Sequence, residues 1–286
     1  MTDIRPRRSV LYMPGSNARA LEKARTLAAD ALILDLEDAV APDAKPAARE
    51  QVCAAVKAGF GRRETVVRIN APGSAWGEDD LAAVAAAAPD AVLLPKVGAA
   101  RDIHRAEEKL AGTGIAIWAM IETPRAVLDL AAIAAAGGRL ACLVLGSNDL
   151  IKEMGGRHLP GRCNLLAAMA LTVMAARANG LGVIDGVHND IADMAGFDAA
   201  CSQARGFGFD GKTLIHPVQI APCNAAFAPA AEELAAARKI VAAFALPENR
   251  DKGAIRLEGR MVERLHEETA RRTLALAEAI ALLENA

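Results

Sequence analysis

The chain has 286 residues, of which 33 are Lys or Arg and 35 are Asp or Glu, for a formal net charge of −2. Such a balance argues against a nucleic-acid or membrane-surface partner held by bulk electrostatics, and 3% aromatic residues leave few platforms on which bases can stack. Five cysteines (Cys53, Cys142, Cys163, Cys201, Cys223) are odd in number and lack C-x-x-C spacing, which speaks against a disulfide framework or a zinc knuckle. No apolar run has the length of a signal peptide or membrane span, so the expectation is a cytoplasmic chain with reduced thiols.

Short apolar runs alternate with Ala-rich, helix-length segments. The first expected strand covers 9–13 and leads through Pro14–Asn17 into a helix over 18–29. Strands follow at 31–36, 65–69, 91–95, 115–121, 140–145, 182–186 and 213–216, with helices between them such as 47–57, 101–110 and 164–178. Each run is mostly apolar rather than alternating, as strands of a parallel sheet covered on both sides are. About eight strand–helix units predict a (β/α)₈ TIM barrel. An open doubly wound sheet is the alternative, but no G-x-G-x-x-G follows the first strand. The barrel domain is expected over 1–228. A C-terminal helical extension over 229–286, with helices at 231–243 and from 261 onward, is too short for an independent domain and is expected to pack on the barrel or on a neighbouring subunit.

Barrel chemistry sits at the C-terminal ends of the strands. There the second strand offers Asp35, Glu37 and Asp38, the third Arg68 and Asn70, the fourth Lys96 and the fifth Glu122. The sixth offers Ser147, Asn148 and Asp149, the seventh Asp185 and the eighth His216. Clustered carboxylates repel unless a cation or proton lies among them, and one or two carboxylates with water suit Mg²⁺. Glu122 and Asp149, on consecutive strands, are the expected metal ligands. Taken singly, Asp38 or Asp149 can be no more than a helix cap; the set on one rim favours a site. Arg68 closes a buried strand and requires a partner: it neutralises Glu37 or Asp38, or points its fork at a substrate oxygen.

These segments resemble the citrate lyase β-subunit family, within the HpcH/HpaI aldolase group. The likeness runs through RSVLYMPG from Arg8, LDLEDAV from Leu34, VRIN from Val67, LLPKV from Leu93, IETPRA from Ile121, LGSNDL from Leu145, IDGVHND from Ile184 and GFDGKTLIHPVQI from Gly208. The resemblance implies a trimeric or hexameric TIM barrel that uses Mg²⁺ to cleave β-hydroxyacyl thioesters, such as malyl-CoA, citramalyl-CoA or citryl carrier protein. By that analogy Glu122 and Asp149 ligate the ion, Arg68 contacts the thioester oxygen, Arg8 lies near the CoA or acyl chain, and Asn148 and Asp149 bind the oxo-acid carboxylate. Relatives often carry Gly-Lys-Met-Ile-Asp-x-Pro near the C-terminus, whose Asp serves a neighbouring site as acid/base. This chain has Glu263 in that place and Leu265 instead of the Pro. The extra methylene displaces the carboxylate by about an ångström, enough to cost roughly 10²-fold in rate.

The leading expectation is therefore a Mg²⁺-dependent carbon–carbon lyase, with Glu263 as base and Arg68 stabilising the enolate. Two enzymatic alternatives use the same site: hydrolysis of the hydroxyacyl-CoA thioester, and aldol cleavage of a free acid. A non-catalytic binding subunit ranks below them because both expected metal ligands are present.

Overall fold

The structure, a computed structural model, describes residues 4–285; residues 1–3 and 286, the outermost ends of the two expected segments, lie outside it. It divides into two compact units, Arg7–Phe227 and a second formed, among the described residues, by 228–285 together with 4–6.

The first unit is a closed barrel of eight parallel strands in sequence order: β1 (Ser9–Pro14), β2 (Ala31–Asp35), β3 (Glu64–Arg68), β4 (Ala91–Leu94), β5 (Ala116–Ile121), β6 (Leu140–Leu145), β7 (Gly182–Asp185) and β8 (Gly211–Leu214). Pairing of Ser9 with Lys212 closes β8 onto β1. The expected (β/α)₈ architecture is thus present. The alternative of an open sheet is excluded by that closing pair.

Both faces of every strand are buried, and alternate residues enter two different cores. Leu32, Leu34, Val67, Leu143 and Val183 point outward into the layer shared with the helices. Val10, Ala31, Ile33, Val66, Leu93, Trp118, Met120, Val144 and Ile184 fill the barrel interior. Each fully buried Val, Leu or Ile contributes about 1.5–3 kcal/mol. The two-residue period has a direct consequence for chemistry. Along β3, Glu64, Val66 and Arg68 all face inward, which puts Glu64 at the base and Arg68 at the mouth. Along β5 the series Trp118, Met120 delivers Glu122 to the mouth in the same way.

The helices hold their positions through local signals. Asn17 caps the helix Ala18–Ala24 by accepting from the Ala20 N–H, and Thr123 caps Pro124–Leu128 by accepting from the Ala126 N–H. Gly15, after β1, is required by packing: a Cβ there would meet the Asp35 carbonyl oxygen and lie 2.8 Å from Val52 Cγ2.

The second unit has two helices, Ala231–Ala245 and Arg264–Glu284, and an antiparallel pair, β9 (Ala254–Leu257) and β10 (Arg260–Glu263). Its small core is Phe244, Ile255 and Val262, with the Arg264 guanidinium 4.4 Å from the Phe244 ring centre. Where a helix is expected from 261 onward, 261–263 instead belong to β10. Glu258 and Gly259 both have positive φ, 49° and 82°, the backbone that a two-residue hairpin turn needs. Pairing of Val262 with Ile255 buries both, which outweighs the helix propensity of the segment.

Candidate active site

Two clusters meet at the mouth of the barrel. The first surrounds Arg68, whose side chain is 8% exposed. Asp35 takes it in a bidentate grip, accepting from Nε and Nη2 at 2.7 Å each. Its Nη1 stands 2.9 Å from Glu37 Oε2, in an ionic contact off the N–H direction, and 3.4 Å from Asp38 Oδ2. The Tyr12 ring lies beneath the guanidinium, 4.9 Å from Cζ. Burial pulls the Arg68 pKa down, but Asp35 above all holds it well above the ordinary arginine value. The fork is therefore a permanent cation with a fixed orientation, as electrostatic catalysis requires.

Glu37 has an unusual environment. Burial pushes its carboxyl up to about 8, with Arg68 opposing and the charges of Asp38 and Glu122 adding to the rise. Lys45 steadies this turn from behind. Its ammonium donates to the carbonyls of Leu36 and Glu37 at 3.0 and 2.9 Å and to Asn70 Oδ1 at 2.6 Å, over the Trp76 ring. Asn70 in turn donates to the Leu36 carbonyl and to Asp80.

The second cluster is Glu122, Asp149 and Lys96. Glu122, directly after β5, is fully buried. Its Oε1 accepts from the Lys96 backbone N–H at 2.7 Å, while Oε2 is buried with no hydrogen-bond partner. Leaving a buried acceptor unmatched costs about 1–3 kcal/mol. Burial raises the Glu122 pKa despite that backbone donor and the Lys96 charge. Asp149 lies on the helix Ser147–Glu153 and is partly exposed. Lys96 Nζ reaches Asp149 Oδ1 at 2.6 Å and Glu122 Oε1 at 3.6 Å. Burial lowers the Lys96 pKa, but the two carboxylates more than offset it and raise it overall. Gly146 lets β6 approach this closely, since a Cβ there would lie 2.8 Å from Glu122 Oε2.

The donor set fits Mg²⁺. Two hard carboxylates, Glu122 and Asp149, reach the same ammonium, and Glu122 keeps a buried oxygen unmatched. Mg²⁺ keeps several waters and needs only one or two protein carboxylates.

The structure therefore brings Glu37, Asp38, Arg68, Glu122, Asn148 and Asp149 to one end of the barrel. Asn148 exchanges amide hydrogen bonds with Asn189, on the loop after β7, at 3.0 and 2.9 Å. Arg8 is a correction. It precedes β1, so it sits at the opposite, N-terminal end, where Asp30 accepts from its Nε and Nη2 at 2.9 and 2.8 Å; it cannot touch a substrate in the mouth. Asp185 ends β7 but turns toward the helices, where Lys212 and Arg162 neutralise it. Glu263 belongs to the second unit, at the N-terminus of the last helix, with its N–H donating to His266 Nδ1.

Asp35, Lys45 and Lys96 were not assigned roles from the sequence. Asp35 was accessible to the period-2 rule, since it continues the inward series Ala31, Ile33. Lys96 is marked as a rim residue by the end of its strand, but its role depends on an uncommon backbone conformation; Lys45 carries no such signal and acts through tertiary hydrogen bonds.

The comparisons with known proteins decide the family. The HpcH/HpaI aldolase/citrate lyase family model matches residues 8–217. This chain belongs to the HpcH/HpaI aldolase/citrate lyase family. It is 48% identical over 277 residues to a (3S)-malyl-CoA thioesterase of Cereibacter sphaeroides, covering 96% of each chain. It is 36% identical to the citrate lyase subunit beta of Escherichia coli K12, covering 96% of this chain and 94% of that one. Among solved structures, the CitE protein of Mycobacterium tuberculosis in complex with magnesium, acetoacetate and coenzyme A matches with a TM-score of 0.79 at 35% identity, over 96% of this chain and 98% of that one. Among the described residues of this chain, no helix is long and apolar enough to cross a membrane.

Proposed function

We propose that this family member is a Mg²⁺-dependent enzyme acting on a β-hydroxyacyl-CoA of the malyl-CoA type, and that it hydrolyses the thioester. The observation that carries the enzymatic reading is the pair Glu122 and Asp149, carried just beyond the ends of the consecutive strands β5 and β6, facing a braced Arg68 across one mouth. Similarity to the malyl-CoA thioesterase favours hydrolysis, as does the replacement of the expected C-terminal Asp by Glu263.

In this reading Glu122 and Asp149 hold Mg²⁺, which when bound supplies Lewis-acid polarisation of substrate oxygens. Asn148, steadied by Asn189, contacts the substrate's free carboxylate. Arg68 neutralises the charge that develops on the thioester oxygen; one such donor is worth about 10²–10³ in kcat. Glu37, whose carboxyl is pushed up to about 8, can carry a proton near neutrality and exchange it with water or the reacting oxygen beside Arg68. Asp38, more exposed, tempers the Arg68 charge from the rim.

Carbon–carbon cleavage is the second reading, favoured by the likeness to citrate lyase subunit beta. It keeps Arg68 as the enolate's counter-charge and uses Glu263 of a neighbouring subunit as base. This version requires a homo-oligomer, a trimer or hexamer, with the C-terminal extension packed on the neighbour. The carrier is CoA or a protein-borne thioester arm. The five free cysteines fit a cytoplasmic setting.

Product analysis with a panel of hydroxyacyl-CoA esters and Mg²⁺ separates the two. Hydrolysis releases the intact hydroxy acid and CoA; cleavage releases glyoxylate or pyruvate and a shorter acyl-CoA. Full Mg²⁺-dependent turnover in Glu122→Gln or Asp149→Asn would sink the metal assignment for either reaction.

A further inference from the structure

We propose that Lys96 is an internal counter-ion for the carboxylate pair and that metal binding at this mouth exchanges one cation for another. The inference rests on Glu122 and Asp149 being the ion's ligands, and it adds how that site is regulated.

The geometry makes the two cations mutually exclusive. Lys96 Nζ lies 2.6 Å from Asp149 Oδ1 and 3.6 Å from Glu122 Oε1, so it draws on both carboxylates at once. A divalent ion held by the same groups would share the gap with an ammonium, and like charges at such separations repel strongly in a partly buried site. One of them must leave. Lys96 has the means: its side chain is 31% exposed, and its flexible stem can carry the charge out to solvent.

The backbone points the same way. Lys96 has φ of 53°, one of four non-glycine residues with positive φ among those described. Such conformations are uncommon for a long side chain and concentrate at functional sites. Here the left-handed turn aims two donors of one residue at the same pair: the N–H bonds Glu122 Oε1 at 2.7 Å and the ammonium bonds Asp149. When the ammonium departs, the N–H stays and keeps Glu122 oriented. Lys96 thus screens two carboxylates that would otherwise repel.

The test is Mg²⁺ titration calorimetry on the full-length wild type, Lys96→Met and Lys96→Asn, with thermal melts with and without saturating MgCl₂. Asn tolerates the left-handed backbone, so that variant stands in if Met disturbs the turn. Both variants are expected to bind Mg²⁺ more tightly, by roughly tenfold, the scale of one lost charge-assisted contact. Both are also expected to melt lower than wild type without Mg²⁺ and alike with it. Unchanged or weaker Mg²⁺ affinity in the folded variants overturns the exchange while leaving the ligands in place. Absence of binding in wild type, or binding that survives the Glu122→Gln/Asp149→Asn double variant, removes the ligand assignment and the exchange together.

Discussion

At the base of the barrel cations and carboxylates meet in pairs: Arg7 meets Glu64, Arg8 meets Asp30 and Arg177 meets Asp210. At the mouth Asp35, Glu37, Asp38, Glu122 and Asp149 share Arg68 and Lys96. The same strands supply both ends, and β3 alone contributes Glu64 to one and Arg68 to the other. The base is built of matched ion pairs, as suits a stabilising plug against Trp118, over which the Arg7 guanidinium lies. The mouth carries surplus negative charge and two buried oxygens without hydrogen bonds, Glu37 Oε2 and Glu122 Oε2. Conservation of fold needs only the first arrangement. The second lowers stability unless a cation or substrate completes it, which marks it as the working end.

This contrast breaks if substitutions at the two ends have the same consequences. A large loss of stability without loss of turnover is expected at the base. Asp30→Ala removes the bidentate carboxylate from the buried Arg8 and should destabilise by about 3–5 kcal/mol, read as a lower urea midpoint, while turnover per folded molecule stays at the wild-type level. A loss of turnover there would mean that the ends are not separate in function. At the mouth, Arg68→Met should lower kcat per folded molecule by about 10²–10³, and it should also cost about 3–5 kcal/mol of stability, because the buried Asp35 loses its bidentate partner. A kcat within twofold of wild type would remove Arg68 from the chemistry.

Glu37 sharpens the comparison through pH. Its folded pKa is raised from 4.5 to about 8, so between those values the folded protein holds a proton that the unfolded chain has released. Its stabilising contribution is complete below about 4.5 and is lost as pH rises toward 8. Glu37→Gln should remove that decline, so the variant gains on wild type as pH increases, measured by urea melts at a series of pH values. Parallel curves for the two proteins would refute the raised pKa. The smallest effect belongs to Asp38, which is 62% exposed and 3.4 Å from Arg68. Asp38→Asn should change stability by less than about 1 kcal/mol and kcat only severalfold.

Much of this arrangement was legible from residue order. All eight strands stand within a few residues of where apolar runs placed them, because a strand buried on both faces has no other composition available. The rim residues followed from the rule that barrel strands deliver their last residues to one end. Arg8 shows the limit of motif reading. It lies in a segment typical of the family, yet it precedes its strand, and direction along the strand decides which end it serves. The hairpin of β9 and β10 was invisible because its evidence is the pairing of Ile255 with Val262, a contact between residues that local propensity treats separately.

The sequence by itself determined the strand–helix alternation, the family and the residue types gathered at the mouth, since hydrophobic period and strand direction are local properties. Only the tertiary structure decided that Asp35 rather than Glu37 grips Arg68, that Glu122 keeps one oxygen unmatched, and that Lys96 lies across the carboxylate pair. Those outcomes depend on distances between strands far apart in the chain and on one left-handed backbone turn, and neither is encoded in any short window of residues.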